Sequence, residues 1–510
     1  MNKELIFLRE PNLLFGYGQK SEDPKDGLTL FGPYETFPLH TIQVGVIGTE
    51  EGIALYKSFV ERIKKPILSP DERKRPSFPG FDAVYGITWP IQPAYQHILN
   101  RDEIDRLLGV SNLHERTWRI VNLYLNPIIR VSQEEDVRLD SWFIVVPKEI
   151  WRRCRPRSES SDGMMPSLDK IRAFRDGQTI LFSDMQAEYE DYSRMVETAS
   201  DFHDQLKARL LQENLTIPIQ VVLEPTLRFR DKYRGFEYGE KMKAHLAWTQ
   251  SATAYYKLGK LPWKLADIRK GVCYVGLVFK KYERGIKGDK GYACSAAQMF
   301  LDSGDGTIFK GNIGPWKSQD REEYHLDEKA AKELLSMALK SYYEKNNCYP
   351  QEVFLHGRAG FRNREWEGFN QAIAETKADT KLVGVVIKGS AKIKLFRDIE
   401  EEACRYGNLR GLALVISPNE GFLWTRGFVP KLSTSTSLEV SNPLRIRIDK
   451  GEASLRQVLE DILCLTKLNY NACIYGDGLP VTLRFANLIG SVLTAVDHIG
   501  SRVLPFKYYI

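Results

Sequence analysis

The chain has no apolar run long enough to cross a membrane, and its first residues show no signal-peptide pattern. Its seven cysteines are odd in number and never form a C-x-x-C pair. They are Cys154, Cys273, Cys294, Cys348, Cys404, Cys464 and Cys473. This spacing argues against both a disulfide framework and a zinc site. We therefore expect a cytoplasmic protein whose thiols are reduced and lie mostly in its cores.

Several common catalytic signatures are also missing. There is no G-x-S-x-G elbow for a serine nucleophile, no H-E-x-x-H pair for zinc and no G-x-x-x-x-G-K loop for a nucleotide phosphate. The Gly304-Asp305-Gly306 run is better explained as a hairpin turn. The net charge of +6 over 510 residues is compatible with a polyanionic partner but does not require one.

What the sequence does contain is a run at residues 272–279 in which every residue is apolar or glycine. Such a run is typical of a strand that is buried on both faces of a sheet. The residues that follow predict a hairpin from 293–300 and 306–310, a helix at 328–344 and a strand at 352–356. This order of elements is compatible with a ribonuclease H-like α/β sheet.

The first half of the chain alternates between strand and helix signals. Residues 42–47 are β-rich and lead through a glycine turn into a helical pattern at 53–63, and 141–146 give another strong strand signal. Residues 81–89 are also predicted as a strand. The alternation indicates a parallel sheet covered by helices on both faces. Residues 155–200 are polar and are predicted to form an exposed insertion.

Four polar residues of the first half form a candidate anion site. His203 and Lys207 lie four apart on a helix predicted to begin near residue 200, so they share one face. The helix N-terminus adds partial positive charge, which favours a phosphate. Gln220 follows in a β-rich run, and Lys257 ends a later helix. A lone H-x-x-x-K pair is more often an ordinary solvated face, and only the order of all four residues makes the site a candidate.

The buried strand lacks the residues that a ribonuclease H-type nuclease needs. Such a nuclease uses several carboxylates that converge on two divalent ions. Here Val278 stands near the end of the first strand, and the next candidate strand ends in His356-Gly357-Arg358. Neither position offers a carboxylate, so two Mg²⁺ ions could not be held there. A degenerate nuclease site and an ordinary buried strand both explain this absence.

Two stretches near the end of the chain carry a family resemblance. Residues 465–471 read L-T-K-L-N-Y-N, and residues 479–487 read L-P-V-T-L-R-F-A-N. Both resemble the end of the PIWI domain of Argonaute proteins. The order H-x-x-x-K, then Q, then K-L-G in the first half resembles the MID domain that precedes it. The resemblance implies an α/β chain with a lead-in segment at 1–40, a Rossmann-like MID domain at 41–265 and a ribonuclease H-like PIWI domain at 266–510.

The same resemblance implies roles for the candidate residues. The residues at the positions that bind the 5′-phosphate of a guide strand are His203, Lys207, Gln220 and Lys257. In some members of the family the C-terminal carboxylate joins a Mg²⁺ ion at this phosphate, and Ile510 is placed to do so here. The positions that hold catalytic metal ions in active members are occupied by Val278, Gly357 and Asn469. The resemblance therefore implies a nuclease-dead protein.

The sequence leaves no room for the N-terminal and PAZ domains of long Argonautes, so it looks like a short prokaryotic Argonaute. It is most similar to the subgroup encoded beside a TIR–APAZ protein. For that subgroup the resemblance implies a heterodimer that binds guide RNA, recognises complementary single-stranded DNA and oligomerises. The TIR domain of the partner then hydrolyses NAD⁺. This chain would be the guide-binding, target-sensing subunit of a defence complex and not an enzyme itself.

Three alternatives stay open at this point. The partner could carry another effector, such as a sirtuin-like domain. The chain could be an active guide-directed nuclease that uses other carboxylates, and the candidates are Asp302, Asp305, Glu322 and Asp477. It could also be a structural interaction protein that binds no guide. Neither the choice between RNA and DNA guides nor the partner-binding surface follows from the sequence.

Overall fold

Two large β-sheets, one in each half of the chain, organise the structure. A computed structural model describes residues 3–38, 41–72, 75–134, 138–156, 198–229, 232–233, 236–237, 242–281, 293–300, 306–311, 324–390, 393–395, 408–432, 434–435, 440–496 and 504–509. The predicted insertion at 155–200 falls mostly outside these residues. Within them, no helix combines the length and the apolar character that crossing a membrane demands.

The elements of the first half follow in chain order. The strands are β1 (Glu4–Phe7), β2 (Leu13–Leu14), β3 (Lys20–Ser21), β4 (Val44–Thr49), β5 (Tyr95–Leu99), β6 (Ser141–Val146), β7 (Ile219–Leu223), β8 (Lys232–Tyr233), β9 (Phe236–Glu237) and β10 (Lys264–Leu265). The helices are α1 (Pro24–Phe31), α2 (Glu50–Ile63), α3 (Phe81–Tyr85), α4 (Arg101–Leu108), α5 (Leu113–Ser132), α6 (Lys148–Arg153), α7 (Phe202–Gln212), α8 (Glu224–Leu227) and α9 (Lys243–Lys257).

The elements of the second half complete the chain. The strands are β11 (Val272–Lys281), β12 (Ala293–Phe300), β13 (Gly306–Gly311), β14 (Glu352–Gly357), β15 (Lys381–Gly389), β16 (Leu412–Ser417), β17 (Glu420–Leu423), β18 (Phe428–Val429), β19 (Thr434–Ser435), β20 (Leu444–Lys450) and β21 (Leu504–Pro505). The helices are α10 (Glu328–Asn346), α11 (Asn363–Thr376), α12 (Leu455–Leu465), α13 (Val481–Arg484) and α14 (Ala486–Leu493).

The sheet of the first half has four parallel strands in the order β5-β4-β6-β7. Strands β4 and β6 are buried along their whole length, as expected for the centre of a sheet with helices on both faces. Helix α2 packs Tyr56 and Phe59 on one face, and α5 packs Tyr124 and Ile128 on the other. The predicted parallel, doubly covered sheet is therefore confirmed.

The prediction of a strand at residues 81–89 is wrong, because this region begins with helix α3. Gly80 and Gly86 flank the helix with positive φ angles of 115° and 67°, a conformation that glycine adopts at little cost. Phe81 and Tyr85 are four apart and both buried, so the apolar residues follow the helical period rather than a strand period. Strand β5, further along the chain, pairs with β4 on the side opposite β6.

The sheet of the second half has ten strands in the order β1-β16-β17-β20-β15-β14-β11-β12-β13-β21. The apolar run at 272–279 is strand β11, which pairs parallel to β14 and antiparallel to β12. The predicted hairpin is confirmed, with Ser295 opposite Gly311 in the β12–β13 register. Strand β1, near the start of the chain, pairs with β16 at the edge of this sheet. Part of the lead-in segment is therefore built into the second half.

A buried ion cluster attaches the early part of the chain to the second half. Glu10 lies 2.9 Å from Arg410 Nε and 2.6 Å from Lys467 Nζ. Burial opposes the charge of Glu10, but the two cations outweigh burial and hold the pKa of its carboxyl below the ordinary value. Burial also lowers the pKa of Lys467 to about 8. Each charge in this cluster depends on the others, so removal of one member should be costly.

Strand β11 allows helix α13 to approach its backbone at Gly276. A Cβ atom at this position would overlap the carbonyl oxygen of Thr482, so only glycine fits. His356, near the end of β14, contacts the same residue, with Nδ1 2.9 Å from Thr482 Oγ1. Helix α14 continues from α13, and Ala495 beyond it accepts a hydrogen bond from Ala199 N at 2.6 Å. The last elements of the chain thus connect the large sheet with the start of α7.

We expect the Gly276→Ala variant to be destabilised by about 1–3 kcal/mol, because the new methyl group meets backbone atoms that cannot move aside. Gly389→Ala is the matched control, since a Cβ atom there has nothing within 4 Å. Thermal unfolding of the two variants beside the wild type is the measurement. Equal midpoints for both variants would show that the packing at Thr482 is not tight.

Candidate functional site

Helix α7 begins where the sequence predicted, with Asp201 as its N-cap. The Asp201 carboxylate accepts hydrogen bonds from the backbone N–H groups of His203 at 3.0 Å and Asp204 at 3.2 Å. Phe202 and Leu206 face the core of the first half. This capping and packing place Lys207 inward, one helical turn after His203.

Lys207 is buried, with 2% of its surface exposed. Its ammonium group donates to the backbone carbonyl oxygen of Tyr509 at 3.4 Å. Burial lowers the pKa of Lys207 to about 7, and the charge of Asp204 opposes that shift only in part. The end of the chain therefore lies against the side chain that the sequence assigned to a phosphate.

Lys257 is the second buried lysine of the site, with 3% of its surface exposed. It is the last residue of α9, and its ammonium group donates to the carbonyl oxygen of Ile219 on β7 at 2.6 Å. Burial first, and then the positive charge of Lys207, hold the pKa of Lys257 well below the ordinary lysine value. The two ammonium groups are thus close enough to repel each other inside the protein.

Gln220 follows Ile219 on β7, beside the Lys257 ammonium group. Its amide nitrogen lies 3.5 Å from Oε1 of Gln250, which belongs to α9. Its amide oxygen is buried and has no hydrogen-bond partner among the described residues. A buried and unsatisfied amide oxygen is costly, so water or a ligand could bind Gln220 there.

His203 lies at the rim of the site with a quarter of its side chain exposed (26%). Its Nδ1 is 3.0 Å from Asp204 Oδ1. Burial is the main cause that holds the pKa of His203 well below its ordinary value, and the charge of Lys207 acts in the same direction. The imidazole is therefore neutral at pH 7 and can offer one N–H donor.

The structure brings His203, Lys207 and Lys257 together, since their charges act on one another. Gln220 follows Ile219, whose carbonyl oxygen binds Lys257. Helix α7 contributes His203 and Lys207, β7 contributes Gln220 and α9 contributes Lys257. The sequence offered no signal for two further groups here, the amide of Gln250 and the backbone carbonyl of Tyr509. Neither a lone glutamine nor a backbone carbonyl has a sequence pattern, and only the packing of distant segments reveals them.

Two kinds of group near this site could bind a cation. Asp201, His203 and Asp204 offer ligand atoms that all lie within 4.8 Å of one another, and burial raises the pKa of both carboxyls to about 6. The unpartnered amide oxygen of Gln220 is a hard oxygen ligand of the type that Mg²⁺ prefers. The Ile510 carboxylate lies outside the described residues, one residue after Tyr509.

The positions assigned to catalytic metal ligands lie on or near the large sheet. Val278 pairs with Ala296 in β11, and its side chain lies outside the described part of the chain. Gly357 is the last residue of β14. Asn469 is buried and donates to Asp477 Oδ2 at 3.0 Å, so its amide already has a partner. Thr482 contacts both β11 and β14. The role of Asn469 stays a prediction.

Of the four carboxylates considered for an active nuclease, only Asp477 lies within the described residues. Its Oδ1 accepts from Gly478 N at 2.6 Å and faces Arg426 at 3.5 Å. Its Oδ2 faces Arg484 at 3.0 Å and accepts from Asn469. Both carboxylate oxygens are therefore committed to protein groups, which argues against Asp477 as a metal ligand.

The Lys207→Met variant should lose a pH dependence of stability that the wild type has. The unfolded chain binds the Lys207 proton with the ordinary pKa of 10.5, whereas the folded protein binds it with a pKa of about 7. Between these values the unfolded state holds more protons, so stability rises with pH. As the pH rises, the free energy of unfolding of the nucleic-acid-free wild type should increase relative to that of Lys207→Met. The increase should be at most about 1.4 kcal/mol per pH unit.

Thermal unfolding of both proteins from pH 7 to pH 9 measures this effect. Lys329→Met serves as the control, because the Lys329 side chain is 86% exposed and the substitution removes one ammonium group without burial. Parallel pH profiles for the wild type and Lys207→Met would contradict the prediction.

Comparison with known proteins identifies structures with a similar fold. No protein-family model matches the chain, and no curated protein matches it. The structure is similar to that of Clostridium butyricum Argonaute bound to a guide DNA and a 19-mer target DNA. That match has a TM-score of 0.62 and 16% identity and covers 98% of this chain and 54% of the other. It is also similar to Aquifex aeolicus Argonaute, with a TM-score of 0.53, 13% identity and coverages of 99% and 57%.

A second structure of the A. aeolicus protein matches with a TM-score of 0.52, 14% identity and coverages of 98% and 55%. The chain spans about half the length of the structures it matches. At these identities the comparisons establish the fold. The predicted fold class, a Rossmann-like MID half followed by a ribonuclease H-like PIWI half, is confirmed. The chain has an Argonaute-like fold.

Proposed function

We propose that this chain binds a guide nucleic acid by its 5′-phosphate. The observation that carries the proposal is the pair of buried lysines. Lys207 and Lys257 each donate to a backbone carbonyl, and among the described residues no carboxylate is hydrogen bonded to either. Two protonated ammonium groups at these positions would repel each other. A terminal phosphate supplies up to two negative charges that would offset theirs.

The neighbouring side chains suit the same ligand. The neutral imidazole of His203 and the amide of Gln220 can donate hydrogen bonds to phosphate oxygens. The dipole of α7 adds positive potential at its N-terminus, where the first N–H groups are bound by Asp201 and the Cys154 carbonyl. The structurally similar C. butyricum Argonaute is bound to a guide DNA and a target DNA. That likeness supports the same class of ligand for this chain.

The finer proposal follows the sequence resemblance. The guide is RNA, the target is complementary single-stranded DNA, and the partner is a TIR–APAZ protein that forms a heterodimer with this chain. Target binding drives oligomerisation and NAD⁺ hydrolysis by the partner in cytoplasmic defence against viruses and plasmids. The lead-in segment at 1–40, the MID domain at 41–265 and the PIWI domain at 266–510 belong to this proposal. A partner with a sirtuin-like effector is the alternative within the same scheme.

A Mg²⁺ ion is proposed as the companion of the guide phosphate. Gln220, with its unpartnered amide oxygen, and the carboxylate of Ile510 are the groups that would hold it. When bound, the ion supplies positive charge that offsets the phosphate. The two lysines and His203 hold and orient the phosphate by their own hydrogen bonds. Because an ammonium binds phosphate best when protonated, bound phosphate should raise the lowered pKa of Lys207.

The Lys207→Ala, Lys257→Ala double variant tests the pocket. A hydrogen bond to a charged group contributes about 1.5–3 kcal/mol, so loss of two should weaken binding of a 5′-phosphorylated guide RNA by at least about 100-fold. Titration of the purified full chain with labelled guide, with and without the 5′-phosphate, measures the effect. Only the advantage that the phosphate confers should disappear.

Lys329→Ala is the control for this experiment, since it removes an exposed lysine that lies on α10. Unchanged affinity of the double variant for the phosphorylated guide would contradict the assignment of Lys207 and Lys257 to phosphate binding. Sequencing of nucleic acid that purifies with the protein adds an independent check. A preparation that carries no nucleic acid and binds no added guide would favour a structural interaction protein.

We expect no cleavage of a complementary target by the isolated chain with Mg²⁺ or Mn²⁺. Val278 and Gly357 provide no carboxylate, and the oxygens of Asp477 are committed to Arg426, Arg484 and other protein groups. The Val278→Asp variant should also be inactive, because one carboxylate cannot hold two ions. Cleavage assays on a labelled target are the measurement. Cutting by either protein would establish an active nuclease instead.

A further inference from the structure

The lead-in segment binds the stretch of chain that follows Lys257. Residues 258–267 lie between α9 and β11, and in the middle of this connection strand β10 pairs with β2. Toward β11, Ala266 N donates to the carbonyl oxygen of Asn12 at 3.0 Å, and the Asp267 carboxylate accepts from Asn12 N at 2.8 Å. Backbone pairing of this kind fixes the path of a connection that has little regular structure of its own. The lead-in segment therefore determines where the chain runs after Lys257.

Glu35, near the end of the lead-in segment, holds the chain on both sides of Lys257. Its carboxylate accepts a hydrogen bond from Leu261 N at 2.9 Å, and its own N–H donates to the Leu261 carbonyl at 3.1 Å. Its carbonyl oxygen accepts from the hydroxyl of Tyr255, in the last turn of α9. Three groups of one residue thus bind the chain two residues before Lys257 and four residues after it.

Lys257 needs such support because it is the last residue of a helix. Backbone hydrogen bonds are incomplete at a helix end, so the last residues fray unless other groups hold them. The Lys257 ammonium group reaches across to the carbonyl oxygen of Ile219 on β7 at 2.6 Å. A shift of the last turn of α9 would move this group away from the proposed phosphate site. That site, the lysine pocket, consists of His203, Lys207, Gln220 and Lys257.

The other end of the lead-in segment is anchored in the second half by the Glu10 ion cluster. Lys467, a member of that cluster, also donates to the carbonyl oxygen of Glu22 at 2.8 Å, so one buried ammonium group binds the segment twice. The backbone carbonyl of Lys467 accepts from Trp263 Nε1 at 3.1 Å. Trp263 lies in the connection after α9 and is buried. Glu35 therefore belongs to a segment that is fixed at both ends.

We propose that Glu35 is a positioning residue for phosphate binding, which holds the last turn of α9 so that Lys257 can reach the 5′-phosphate of the guide. The proposal rests on the proposed function, since it takes Lys257 to bind that phosphate. Glu35 acts through Leu261 and Tyr255 and not by contact with the ligand. Hydrogen bonds to a carboxylate are stronger than those to a neutral acceptor, so the side chain of Glu35 contributes beyond its backbone contacts.

The Glu35→Ala variant of the full chain tests this role, with 5′-phosphorylated and 5′-hydroxyl guide RNA as the two probes. The ratio of the two affinities is the phosphate advantage. Coupling between two sites typically amounts to about 5-fold or more, so Glu35→Ala should reduce the phosphate advantage by at least about 5-fold. A role in folding alone would weaken binding of both probes alike. An unchanged ratio would overturn the proposal.

Two further variants separate the hydrogen bond from the charge. Glu35→Gln keeps an oxygen acceptor for Leu261 N and should stay within about 2-fold of the wild-type phosphate advantage. Glu4→Ala is the matched control, since it removes a carboxylate at an exposed position of the same segment. Loss of a negative charge by itself would favour phosphate, which is opposite to the effect expected for Glu35→Ala. Equal phosphate advantages for Glu35→Ala and Glu4→Ala would contradict the role of Glu35.

Hydrogen exchange of the wild type provides a test that needs no variant. Coupling is reciprocal, so bound phosphate must strengthen the Glu35–Leu261 contact if that contact favours phosphate binding. At saturation, the Leu261 amide should exchange at least about 5-fold more slowly with the phosphorylated guide than with the hydroxyl guide. Mass spectrometry of peptides that cover residues 258–265 is the measurement. Equal exchange in the two complexes would overturn the proposal.

The Lys207→Ala, Lys257→Ala variant distinguishes this proposal from the proposed function. If the lysine variant loses the phosphate advantage of the wild type and Glu35→Ala keeps it, the lysine pocket stands and the role of Glu35 is overturned. A wild type without any phosphate advantage would overturn both, because Lys257 would have no phosphate to bind. Loss of the advantage in both variants, with Glu35→Gln retaining it, supports both proposals.

Discussion

The close approach of α13 to strand β11 at Gly276 is the constraint on which the packing of the last helices against the large sheet depends. The absence of a side chain at Gly276 lets the Thr482 backbone rest on the centre of the large sheet. From Thr482 the chain leads back to Asp477 and forward through Arg484 and α14 to Ala495, which is hydrogen bonded to Ala199 just before α7. The last described residue, Tyr509, then returns to Lys207.

Two lysines are buried without a hydrogen-bonded carboxylate, among the described residues, at the site that is proposed to bind an anion. Lys207 and Lys257 are both buried, which lowers the pKa of each, and the positive charge of Lys207 lowers the pKa of Lys257 further. By contrast, the buried cations Arg410 and Lys467 have a carboxylate partner in Glu10. Stability alone would favour such a partner at every buried lysine. Among the described residues, no carboxylate is hydrogen bonded to Lys207 or Lys257, and an anionic ligand can supply the negative charge instead.

The Asp477 carboxylate, the one nuclease candidate within the described residues, is bound by protein groups on both of its oxygens. Asp477 organises arginines and Asn469 rather than a metal ion. The strand ends at Val278 and Gly357 carry no carboxylate at all. The large sheet keeps a ribonuclease H-like fold without a carboxylate at these two positions.

The sequence by itself determined strand β11, the β12–β13 hairpin and the helix start at Asp201, because local patterns and caps specify each of them. The order of His203, Lys207, Gln220 and Lys257 also predicted a phosphate site, and that assignment stays a prediction. The strand predicted at residues 81–89 was wrong, because glycines with positive φ flank a helix there. The sequence offered no signal for β1 at the edge of the large sheet. The contact of the Tyr509 carbonyl with Lys207 and the ion pairs of Asp477 with its arginines arise from segments far apart in the chain, so only tertiary packing decided them.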